Sequence, residues 1–151
     1  MKRFAFRLEN VLRYREQVER ERQIALAKVH QLVVDHEQKL LEAYAVLEEA
    51  RGELRKHESN GEINVTEARQ QRVYLGSLRR HVSEVLKRLR KLELELDRRR
   101  DEAIGARKER KVLEMLRTRR HEEYLRETGR ADRAELDDIA TKKEVVRRAG
   151  S

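Results

Sequence analysis

Leu75, Leu78, Val82, Val85, Leu89, Leu92 and Leu96 follow one another at alternating spacings of four and three, with no interruption. That spacing places all seven on one narrow stripe of a helix. Such a stripe is the seam along which a second helix packs in a coiled coil. The composition points the same way. Charged residues make up 44% of the 151 positions and aromatics 4%, and Pro, Cys and Trp are absent. These are too few large apolar residues for an ordinary globular core, and the balance is that of long helices. A disordered chain would also be highly charged. Here, however, acidic and basic residues are interleaved and the apolar residues keep a period, which argues against disorder.

A second periodic segment precedes the first turn signal. Phe4, Val11, Val18, Ala25 and Leu32 recur every seven residues. Around Ala25 the stripe moves by one position, and Leu26, Val29, Val33, His36, Leu40, Ala43, Leu47, Ala50 and Leu54 carry it onward. This pattern predicts a first helix over about 4–57. Asn60-Gly61 is the one clear turn dipeptide, so about 58–65 is read as the loop. Asn64 and Thr66 are both candidate N-caps, with Glu67 three residues after Asn64. The second helix is predicted over about 66–147. Beyond Leu96 its seam thins to Ala103, Ala106, Leu113 and Leu116, with Arg99 and Arg110 at other seam positions. Gly129 is a candidate break.

The expected fold is therefore all-α, a long antiparallel two-helix coiled-coil hairpin forming a single domain over 1–151. A turn centred near Gly61 pairs residue i with roughly residue 123 − i. Val11 then meets Val112, and Phe4 meets the region of Arg119. From about His121 onward the second helix has no partner within the chain. At ~1.5 Å per residue this leaves an overhanging C-terminal helix of roughly 40 Å.

The chain offers little to catalysis. His121-Glu122-Glu123 begins like a zinc motif, but position 125 is Leu where a second His is needed. The other histidines share no ligand spacing, so no metal site is expected. There is no Gly-rich phosphate loop and no Ser or Cys nucleophile with a His partner. A two-helix hairpin also has no concave pocket that excludes water. The expectation is a non-enzyme with no cofactor and no small-molecule substrate. The opening MKRFAFRLENVLRYRE lacks a long apolar run, so neither a signal peptide nor a membrane anchor is expected.

A net charge of +8 favours acidic partners. Arg107 to Arg120 alone holds seven basic and two acidic residues. Phosphate binding would use such a row. The interspersed acids and the scattered aromatic residues argue against nucleic acid and for a solvated or protein-facing helix face. Tyr44 and Tyr74 flank the seam, as does Leu41. They either thicken the edge of the core or form an exposed contact patch.

The opening FRLENVLRYREQVERERQIALAKV and the closing KVLEMLRTRRHEEYLRETGRADRAELDDIATKKE resemble the two ends of the flagellar FliJ family. The Asn60-Gly61 loop falls where that family's hairpin turns, and the likeness spans nearly the whole chain. The resemblance implies a soluble stalk and chaperone component of the bacterial flagellar type III export apparatus, which serves motility and chemotaxis. It implies a FliI-like export ATPase hexamer, a FlhA-like export gate and export chaperones as partners. It also implies a cytoplasmic place at the inner face of the cell membrane. On this resemblance the ATPase contact falls at the open end of the hairpin, on Phe4, Phe6, Arg117, Arg119, Arg120, Tyr124 and Arg126. The gate contact falls on Leu41, Tyr44, Tyr74 and Leu78, although Glu48 stands where the family has an aromatic and His81 where it has a small residue. Alternative readings are the stalk of a non-flagellar type III secretion system, a nucleic-acid-binding coiled coil, and a structural homodimer.

Overall fold

The computed structural model describes residues 2–61 and 64–150. Two helices pack against each other, α1 (Glu9–Asn60) and α2 (Val65–Ala149), and no strand occurs among the described residues. The chain divides into two compact units. One runs from Arg20 to Ile104 and contains the turn; the other joins the segment up to Glu19 with the segment from Gly105 onward.

The turn is built from backbone requirements. α1 stops at Asn60 because Gly61 adopts φ +66°, a left-handed conformation that costs glycine nothing and other residues about 1–2 kcal/mol. Asn64 restarts the helix: its side-chain oxygen accepts a hydrogen bond from the Thr66 N–H at 2.9 Å. Its carbonyl accepts from Ala68 at 3.0 Å. Asn64 is thus the N-cap and Thr66 lies inside the helix. Replacing Asn64 by Ala should lower stability by about 1 kcal/mol, read from the urea midpoint. Part of the predicted loop is helical, since α1 extends to Asn60 and α2 begins at Val65.

In the unit that holds the turn, the seam is apolar. Val29, Val33, Leu89 and Leu96 form one buried cluster, edged by Leu26, Leu40 and Leu92. Ala43, Leu47, Leu75 and Val82 form another, edged by Ala50, Leu54 and Leu78. The Leu75–Leu96 series serves as the seam it was read to be. Toward its far end the apolar residues give way to charge: Glu102 accepts from Arg22 at 3.3 Å and from Arg99 at 3.2 Å.

The other unit corrects the reading of α1. Val11 is 41% exposed, whereas Leu12 is 3% exposed and Glu19 is 8% exposed. Leu8, Leu12, Arg15, Glu19, Arg22 and Leu26 already stand at alternating spacings of four and three. The seam therefore makes no shift at Ala25. The apparent shift arose because three of these seam positions carry charge while Val11, Val18 and Ala25 sit one position away. Glu19 is matched by Arg110, which pairs with it and also with Glu114. Hydrogen bonds to Glu114, and next to Glu19, push the Arg110 guanidinium above its ordinary pKa. Arg15, at another of these positions, pairs with Glu109 at 2.5 Å.

Three further expectations change in this unit. α1 begins at Glu9, so residues 2–8 precede the helix and Phe4 is not a heptad position. α2 runs through Gly129 without a break. The cross-helix pairs Glu9–Arg117 and Arg15–Glu109 give i + j of 126 and 124, close to the predicted 123, and the strap, which rises further per residue than a helix, carries the Lys2 carbonyl to Tyr124. Intramolecular cover therefore extends past His121. Every residue of α2 from Arg130 to its end is exposed.

Candidate functional site

Residues 2–8 form a short non-helical strap. Phe4 and Phe6 are half-buried while Arg3 and Ala5 are exposed, an alternation that extended backbone produces; Arg7 and Leu8 then turn into α1, the Glu9 N–H donating to the Phe6 carbonyl at 3.1 Å. The strap lies against α2. The Phe4 ring meets His121 edge-on at 4.8 Å and Tyr124 at 5.5 Å. The Tyr124 hydroxyl donates to the Lys2 carbonyl at 2.6 Å. About two turns before Tyr124 on α2, Leu116 joins Phe4, Phe6 and Tyr124 around a surface groove.

The structure thus gathers Phe4, Phe6 and Tyr124 into one place, with His121, which the sequence had offered only as a failed metal motif. No group of three metal-ligating side chains occurs among the described residues. Three of the four arginines around this cluster pair with acids. Arg117 reaches back to Glu9 on α1 at 3.0 Å. Arg119 and Arg120 converge on Glu123 at 3.6 and 3.3 Å. Arg126 donates to the Glu122 carbonyl at 3.4 Å, one turn back on its own helix. The cluster is an aromatic patch framed by charge pairs, with no concentrated phosphate-binding row. A surface of this kind suits a protein: rings supply contact area, and rim arginines supply orientation.

The four residues assigned to the gate do not form one patch. Leu41, Tyr44 and Tyr74 are exposed, whereas Leu78 is half-buried against the core cluster. Leu78 lines a groove with Val46, His81 and Val85. Tyr74 lies seven residues before His81 and so shares its face of α2. Leu41 and Tyr44 follow the seam residues Leu40 and Ala43, while Val46 precedes the seam residue Leu47, so they fall on opposite flanks of α1. Val46 was missed because flank residues carry no period of their own; the one available signal was its offset from the seam.

The family model of Flagellar FliJ protein matches residues 4–148. The chain belongs to the FliJ family. That match takes in the strap from Phe4, both helices and nearly all of the exposed end of α2. No curated protein and no solved structure matched the chain. The FliJ family is one of structural, chaperone-like components of flagellar type III export, and is not a family of known enzymes. No helix among the described residues is long and apolar enough to cross a membrane.

Proposed function

We propose that this FliJ-family protein is the soluble stalk and chaperone component of the flagellar type III export apparatus. It acts in the cytoplasm at the inner face of the cell membrane. Its open end, built from Phe4, Phe6, Arg117, Arg119, Arg120, Tyr124 and Arg126, enters the ring of a FliI-like export ATPase. Its two flanks, with Leu41 and Tyr44 on one side and Tyr74 and Leu78 on the other, offer the contacts for a FlhA-like gate, and it hands on export chaperones. The observation that carries this reading is the family match from Phe4 to Arg148 over a chain whose strap and α2 present a joint aromatic cluster. A stalk must be stiff, and the apolar Leu75–Leu96 seam provides stiffness. It must also present a preformed contact, and the ring cluster provides one.

The test is to mix the protein with a FliI-type ATPase and measure hydrolysis and hexamer assembly. Stimulation of both is expected; no binding and no stimulation at any concentration would overturn the reading. Replacing Phe4 by Ala should weaken binding by roughly 30-fold, the size of an aromatic anchor's loss. A chain ending at Arg119 loses His121, Tyr124 and Arg126 and should bind no better. A chain ending at Gly129 keeps the cluster and should bind close to the full chain. Unchanged binding by the Arg119 truncation would refute the placement of the contact.

A further inference from the structure

The end of α2 is left without a role by the ring cluster. From Arg130 onward it is exposed on every face, and Leu136 and Ile139 are 65% and 45% exposed. Yet it is not featureless. Gly129, Asp132, Leu136, Ile139, Lys143 and Val146 keep alternating spacings of three and four, which makes them a heptad stripe.

The stripe is a palindrome. Its centre lies between Leu136 and Ile139. Reading outward, each apolar or charged residue meets its complement: Leu136 with Ile139, Asp132 with Lys143, and Gly129 with Val146. From this symmetry we propose that the end of α2 pairs with the same segment of a second copy of this chain, in antiparallel orientation. A two-fold axis then puts Leu136 against Ile139 of the second copy, and Asp132 against its Lys143. Each contact occurs twice, as an isologous interface requires. The flanking position agrees: Glu135 falls beside Lys142 of the second copy, again twice. Lys142 is held at 3.0 Å from Asp138 of its own helix, so it is already drawn toward the acidic half. Gly129 has no atom within 4 Å of where its Cβ would be, which leaves room for an incoming Val146.

The opposite orientation fails on the same residues. Parallel, in-register pairing sets Asp132 against Asp132 and Lys143 against Lys143, and like charges across a seam are repulsive. Charge complementarity therefore selects both the occupant and the direction. Because the stripe is short, association is expected only at high concentration.

Light scattering from low micromolar to millimolar concentration should show the mass rising toward twice that of one chain, and less so in high salt. Leu136→Arg should hold the protein at the mass of one chain with its helix content unchanged, since Leu136 is already exposed. Asp132→Lys with Glu135→Lys should abolish self-association, as should Lys142→Glu with Lys143→Glu, while a mixture of the two variants should associate again. The chain has no native cysteine, so orientation can be read by cross-linking. Gly129→Cys should link to Val146→Cys in a mixture and not to itself. A single-chain mass throughout, doubling that survives Leu136→Arg, or self-linking of Gly129→Cys would each overturn the proposal. None of these readouts involves the ATPase, so they stand or fall apart from the proposed function.

Discussion

Leu12→Ala is expected to destabilise the protein by about 2–3 kcal/mol, while Val11→Ala, one residue away, should stay within ~0.5 kcal/mol. Leu12 is the least exposed of the buried apolar residues, and Val11 points to solvent. Truncating a buried leucine removes its transfer free energy and leaves a cavity that the neighbouring turns fill only in part. The lower part of the usual range applies because a two-helix seam is one layer deep and collapses more readily than a globular core. Urea titration followed by far-UV circular dichroism would read both variants. The contrast also tests the register, because the sevenfold recurrence of Phe4, Val11 and Val18 names Val11 as the core residue. Equal losses at the two positions, or a larger loss at Val11, would show that the seam of α1 has been misplaced.

That contrast marks where this fold is legible in its sequence and where it is not. The Leu75–Leu96 series could be read without error because each seam position is filled by Leu or Val. The first half of α1 could not. Its seam carries Arg15, Glu19 and Arg22, and hydrophobicity alone finds a false stripe beside the true one. The key was present at a distance: Arg99 and Arg110 fall on the seam of α2, and a charged residue at a seam needs an opposite charge facing it. Glu19 supplies that charge, but it stands six residues beyond position 13, which the predicted pairing sets opposite Arg110. The strap was missed for a different reason. Phe4 fits the seven-residue repeat, yet Phe4 and Phe6 also stand two apart with Arg3, Ala5 and Arg7 between and around them, which is the alternation of extended chain. Gly129 signalled a break that did not occur, because one glycine inside a long helix costs only about 1 kcal/mol and its neighbours hold the helix. Of the candidate site, the aromatic members were legible as residues but their meeting was not. Contact between Phe4, His121 and Tyr124 depends on a non-helical strap ahead of α1, which the seven-residue repeat through Phe4 concealed.

The charged seam leads to the second large effect. Arg110→Leu alone should lower the urea midpoint at least as much as Leu12→Ala. It takes from Glu19, a residue 8% exposed, its ion pair across the seam. Removing one member of such a pair costs more than the pair itself contributes, because the remaining charge stays desolvated with less compensation. Glu19→Leu should be milder. Arg110 keeps Glu114 on its own helix and has a long stem that can carry its head to water. Changing both residues to Leu should raise the midpoint above that of the natural chain, since two apolar residues restore an ordinary seam layer. The order of the four proteins is therefore fixed: double leucine, natural chain, Glu19→Leu, Arg110→Leu. A double variant no more stable than either single variant would show that the pair stabilises the hairpin outright. If the pair acts instead to fix which residues face one another, the double variant should lose uniqueness while gaining stability. Paired cysteines at Leu12 and its facing position on α2 would then cross-link in more than one register. A single cross-linked product in the double variant would assign the choice of register to the apolar layers alone.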